Sequence, residues 1–493
     1  MTISPSDASD ETRAADAQGS RRGVRRRQPG SLAAESKQTL ATRLIVFLLC
    51  LTIVLSALAY GTVHTWALAV FYMGAMLCAL LWLLDGMTSG KLRWSKSALQ
   101  LPLLGAIMLG LMQLLPLRDA ASIPALSVAP LKTLSLDPYA TRFALVWLVA
   151  LLFYFVAALV YINDARRMRV VVRTIITLGF LLAIFGMIQK FTSPTKIYWV
   201  RQPSQAVPFG PFINSHHFAA YMEMALALPL GLLFSGAIER ERRPLYIFVA
   251  VVMGMALILT ASRGGMLSLA AEIVFLAVIS RRASDFAPED ETERKTFLHL
   301  AATRVGLALA LLSVLLFGAL FFGGELSLNR LLGTASAEDP TMGRTHFWAT
   351  TLEIIRAHPV IGAGLGAYGV AYTRYDTWNG LYRVEQAHND YLQVLACGGL
   401  AGALLGLWFL ATLFRQGRKQ LRTKDPLRRG IATGALAGCF AVLVHSFFDF
   451  PLQTTANSLL FLTLVALATI DGRPLRRAGR KRSTHLHRDD AAN

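Results

Sequence analysis

Three kinds of side chain in this sequence could act on a charged substrate: arginines beside turn glycines, histidines at the starts of apolar runs, and aromatics near both. Arg263 stands in Ser262-Arg263-Gly264-Gly265, a tight turn between two apolar runs. Glycines there let backbone approach a ligand, and the planar guanidinium fork suits phosphate oxygens. The competing reading is an arginine that snorkels to lipid headgroups. Arg344 and Trp348 are four apart, so a helix puts them on one face, Arg344 for a second phosphate and Trp348 for a sugar or the membrane surface. That stretch, Thr345 to Ala357, reads equally as an amphipathic helix resting on the bilayer.

His388 stands just before another apolar run, and an imidazole there can take a proton from a hydroxyl. It could instead be a helix anchor, with Asn389 as the cap. His216 and His217 also precede a run. No carboxylate or further histidine has zincin spacing to them, so no metal site is expected, and Asn214 and His217 are expected to hydrogen-bond substrate or orient their loop. His445 and Asp449, four apart, are either a supporting pair or a helix-end hydrogen bond.

What must position these residues is a set of membrane spans. The chain of 493 residues is 54% hydrophobic and only 16% charged, well under the charge content of soluble domains. Its apolar runs of about 18–20 residues are the length of spans. About twelve are expected, starting near Leu44, Trp66, Leu99, Phe143, Val170, Phe218, Leu245, Met266, Val305, Asp390, Ile431 and Asn457. The fold class is therefore an all-α polytopic membrane protein.

The net charge of +19 falls on alternate loops, such as Arg166, Arg167 and Arg169, or Arg415 to Arg429. The positive-inside rule puts those loops and both termini in the cytoplasm. The same clustering makes an anionic membrane surface a better partner for the charge than nucleic acid. Residues 1–40 are expected to be a disordered cytoplasmic tail, 41–472 the transmembrane domain, and 473–493 a basic cytoplasmic tail. A long outward loop, 323–388, falls between the ninth and tenth spans and carries Arg344, Trp348 and His388. The four cysteines all lie in apolar runs without metal-ligand spacing and read as packing residues.

In their order and topology these features resemble the O-antigen ligase/Wzy polymerase superfamily of bacterial envelope glycosyltransferases. The resemblance is carried by Ser262–Gly265, Arg344–Trp348, Pro359–Gly366, His388-Asn389 with Leu392 and Gly398-Gly399, and by Asn214–Phe218 and His445–Pro451. It spans about Phe209 to Gln453; the N-terminal third matches only in hydropathy.

The resemblance implies a metal-independent, inverting transferase without cofactors in the bacterial inner membrane, working at the periplasmic face. The donor would be a glycan on undecaprenyl pyrophosphate, and the acceptor a lipid A core sugar, a growing polymer or a protein hydroxyl. Arg263 would bind the pyrophosphate and His388 would activate the acceptor hydroxyl. Arg201 is taken for the family's other arginine, nearer the middle of the chain, and Asn389 is given no role. The first outward loop, Gly61 to Thr65, has no Asp or Glu, unlike the metal-binding acidic sites of other membrane glycosyltransferases. A lipid or polysaccharide transporter is the alternative from another class. It would need charges along its spans, and Glu223 and Glu272 are the exceptions in otherwise uncharged runs.

Overall fold

The computed structural model describes residues 39–118, 132–204, 206–282, 344–378 and 383–471, together with 306 and 313. Among the described residues every named element is a helix. We number them α1 Leu40–Leu58, α2 Thr65–Ser89, α3 Gln100–Gln113, α4 Pro138–Tyr161, α5 Ala165–Thr192, α6 Ser215–Phe234, α7 Arg243–Leu259 and α8 Arg263–Arg282. There follow α9 Arg344–Ala357, α10 Tyr368–Tyr375, α11 Asp390–Gln420, α12 Pro426–His445 and α13 Thr455–Thr469.

Eight helices are long and apolar enough to cross a membrane: α1, α2, α4, α5, α6, α7 with its preceding turn, α11 and α12. Three further expected starts, near Leu99, Met266 and Asn457, fall at or in α3, α8 and α13, of which α3 and α13 are short apolar helices. The expected span at Val305, the first part of the long loop (323–343), and nearly all of both expected tails lie outside the described residues.

Local chemistry explains most helix starts. Side chains of Thr39, Asp137, Asp164, Asn214, Asn389 and Asp425 accept backbone N–H groups in the first turns of α1, α4, α5, α6, α11 and α12. Those N–H groups have no partner within the helix and would otherwise be buried unsatisfied. Pro138 and Pro426 occupy first-turn positions, where a missing N–H costs nothing.

Burial divides the bundle into inner and outer helices. In α6, 94% of the apolar window is buried, against 22% in α2. The outer surface of α2 shows Trp66, Met73, Met76, Leu80, Leu83 and Met87. So continuous an apolar face has lipid as its natural solvent. At the centre, α6 crosses α12 at small residues: a Cβ on Gly231 would fall 2.2 Å from the Gly434 nitrogen. Only glycine allows that approach, the small-residue packing expected where lipid gives helices no hydrophobic reason to associate. All four cysteines are free and buried, as packing residues should be.

A second, smaller core lies under the 344–397 segment and includes Ile354, Ala363, Tyr368, Tyr372 and Ala396. α9 is thus packed onto protein as well as being amphipathic. Its neighbour, the Pro359–Gly366 loop, docks into a break in α11. At Gly399 the helix has φ 60° and ψ −159°, and Leu400 and Ala401 N–H groups donate to the carbonyls of Pro359 and Val360. Gly362, at φ +75°, would place a Cβ 2.3 Å from the Cys397 carbonyl carbon, so both conformation and space require glycine. Gln113 of α3 locks the joint: its Nε2 donates to the Ile361 and Cys397 carbonyls, and its Oε1 accepts from Leu365 N–H.

Candidate functional site

The starts of α6, α8 and α11 meet the end of α12 and the connection that follows it, 446–454. Three helix N-termini, each with a partial positive charge, therefore lie close together. His388 ends the segment leading into α11. Its Nδ1 lies 3.2 Å from Oδ1 of Asp449 in the α12–α13 connection. A carboxylate only accepts, so Nδ1 carries the hydrogen, and a neutral ring then presents Nε2 as the proton acceptor. The Asp449 side chain is 3% exposed and that of His388 32%, so the pair has one sealed end and one open end. Burial alone would raise the Asp449 carboxyl. The hydrogen bond from His388 and the nearby imidazoles of His217 and His216 outweigh it and hold the group well below the usual carboxylate range.

The backbone of His388 is in the left-handed region, φ +49°. That region costs a non-glycine residue about 1–3 kcal/mol and persists only where the surroundings impose it. Here the preceding residue is pinned on both sides: Ala387 N–H donates to Gln393 Oε1, and its carbonyl accepts from Trp348 Nε1, at 2.8 and 3.1 Å. Phe347 lies nearly parallel to the imidazole and Phe450 stands edge-on to it. Trp348 therefore holds the histidine's segment through its indole N–H.

The two residues after His388 fix the other half of the pair. Asn389 caps α11 with its oxygen and donates from Nδ2 to the Phe447 carbonyl. Buried Asp390 accepts from Ser446 Oγ, Leu452 N–H and Gln453 Nε2. Three consecutive side chains thus grip one connection, and Asp449 lies at its middle.

Arg263 opens α8 and is exposed. Its turn is anchored beside the dyad: Ser262 Oγ lies 2.9 Å from His216 Nδ1, and Gly264 abuts the His445 ring and Phe448. Ala261, just before, is also left-handed at φ +55°. Arg344 begins α9, and its charge acts on the His216 imidazole together with those of Asp449, His445 and His388. Arg263, Arg344, His388 and His216 therefore border one region.

His217 is buried, with Nδ1 2.9 Å from Thr454 Oγ1, its ring edge-on to Phe450 and Nε2 without a partner. Asn214 spends its oxygen on the α6 cap. The Arg201 guanidinium lies 5.3 Å over the Tyr60 ring, at the α1–α2 connection, whose Gly61 abuts Thr454.

The expected pairing of His445 with Asp449 holds only for backbone, Asp449 N–H to His445 carbonyl. The side chains diverge: His445 Nδ1 lies 3.1 Å from Glu223 Oε2 in the bundle interior, while Asp449 turns to His388. Four residues across a helix end do not share a face once the helix has stopped. Asp390 was not singled out in the sequence, and the side-chain partners of Asp449 and Ser262 lie far from them in the chain. Among the described residues, no three His, Cys, Asp or Glu side chains are grouped to hold a metal.

No curated protein matches the chain. Residues 248–407, the stretch that contains Arg263, Arg344, Trp348 and His388 but not Asp449, match the family model described as O-Antigen ligase, and this match supports the O-antigen ligase/Wzy superfamily.

Proposed function

We propose that the protein transfers a glycan from a lipid pyrophosphate, of the undecaprenyl type, to an acceptor hydroxyl at the outward, periplasmic face of the bacterial inner membrane. The observation that carries this reading is the His388–Asp449 pair, beside the glycine turn that bears Arg263. His388 Nε2 takes the acceptor proton as the hydroxyl oxygen attacks the anomeric carbon from the side opposite the phosphate. The bond from that carbon to the phosphate oxygen breaks, and the configuration inverts. Pyrophosphate leaves with the electron pair, and its growing charge is met by Arg263, Arg344 and the helix N-termini. Because pyrophosphate is a good leaving group, positive charge and one base suffice, and no metal is assigned a part. Asn214 and His217 shape the floor as cap and packing residue. Arg201 is assigned to the donor.

Ligase and polymerase differ in the acceptor: lipid A core sugar in the first, the growing O-antigen or exopolysaccharide in the second. A transporter is the weaker reading, because the family match is to a ligase and the His388–Asp449 pair is built as a base. Deletion of the gene, followed by gel analysis of surface glycans, tests the proposal. Loss of O-chains from lipopolysaccharide supports ligase, a collapse of chain length supports polymerase, and loss of a glycoprotein supports a protein acceptor. Unchanged glycans, or transfer by purified protein that EDTA abolishes and divalent ions restore, would contradict it.

A further inference from the structure

Trp378 lies in the segment after α10, and 48% of it is exposed. It is not a loose surface aromatic. His346 of α9 lies flat on it, ring centroids 4.0 Å apart and planes within 4°. Asp376 Oδ1 accepts both His346 Nε2–H, at 2.8 Å, and Trp378 N–H, at 3.1 Å. One carboxylate oxygen therefore fixes the indole's backbone and the ring that backs it, while the His346 and Asp376 side chains are only 18% and 10% exposed. With one face covered by imidazole, the indole's exposure belongs to its other face and edge.

We propose that this face is a carbohydrate platform for the acceptor glycan, a proposal that rests on the transferase reading above. An aromatic face is electron-rich, whereas a pyranose of the gluco or galacto type gathers C–H groups on one side, so the two stack. A rigid indole gives that contact at little cost in conformational freedom. Position selects the acceptor over the donor. Phe347 touches both rings, 5.8 Å from Trp378 and 5.9 Å from His388. The Arg263 turn instead lies against His216, His445 and Phe448. A sugar on Trp378 thus reaches the base through Phe347, beside the pyrophosphate that Arg344 and the α8 turn hold rather than in its place.

The test uses the full chain in nanodiscs. The probe is the oligosaccharide released by mild acid from the host's own envelope polysaccharide, and binding is read by calorimetry. Trp378→Ala should weaken binding about tenfold and raise the acceptor KM by a similar factor, more than it lowers kcat. Trp378→Tyr, which keeps an aromatic face, should recover most of the loss. Binding and acceptor KM unchanged in Trp378→Ala would overturn the platform. So would strong quenching of Trp378 by brominated lipids that the glycan does not relieve, which would make it a membrane anchor. Absence of glycan transfer by the wild-type protein would instead defeat the transferase reading, while the binding result on Trp378 is obtained without turnover.

Discussion

Two buried aspartates at opposite ends of the bundle are built for different tasks. Asp85, near the end of α2, is closed: Thr39 and Thr42 hydroxyls donate to Oδ1, and the Tyr161 hydroxyl and Arg93 guanidinium to Oδ2. Every partner is fixed, and the cluster ties the ends of α1, α2 and α4 together. Asp449 is open: Oδ1 takes His388 Nδ1–H and Phe450 N–H, and Oδ2 is buried without a partner. Its main partner is a ring that can gain and lose a proton and is one-third exposed. Full satisfaction gives rigidity, whereas an aspartate aimed at an imidazole with unused capacity gives a group that can respond when the imidazole becomes charged.

The comparison can be broken by substitution on either side. The largest effect is expected for His388→Ala, which should lower glycan transfer about 10²–10⁴-fold while leaving lipid-linked donor binding intact, measured with purified protein and labelled donor. Arg263→Lys keeps charge but loses the fork. Its transfer rate should drop about tenfold at normal expression; a rate equal to wild type would leave Arg263 as a headgroup anchor. Trp348→Phe removes only the hydrogen bond to the Ala387 carbonyl. It should cost about fivefold in kcat, through a less well held His388, with little change in donor KM. Asp85→Asn should leave the rate per folded molecule within about twofold, yet lower Tm on the order of 5 °C by opening the pair with Arg93. A catalytic loss there without loss of stability would erase the distinction between the two ends.

Much of the scaffold was legible because the signals are local. Asn389, read as a possible cap, stands immediately before α11 and caps it, and eight of the apolar runs are helices long enough to span a membrane. Arg263, Arg344 and His388 were singled out by residue type and local context. Their neighbourhood was not legible, because it is made by helix ends that meet only on folding. Asp449 shows the limit most clearly. Helical spacing suggested His445, four residues away, but its partner is 61 residues away in sequence. Gly362 and Gly399 were each visible as turn glycines; that one allows the loop to dock against the helix break of the other is a fact of three-dimensional packing. Trp348 was read as a sugar or membrane contact, and its indole N–H also holds the carbonyl of the residue before His388.

The claim that His388 and Asp449 act as one unit is tested most directly by a double-mutant cycle on transfer rate. Asp449→Asn alone should lower the rate about a hundredfold, because an amide can neither fix the ring hydrogen at Nδ1 as firmly nor stabilise the charged ring. Added to His388→Ala, it should cost almost nothing further, since an aspartate that works through the histidine has nothing left to support. Losses that multiply in the double variant, or an Asp449→Asn enzyme as fast as wild type, would contradict the account.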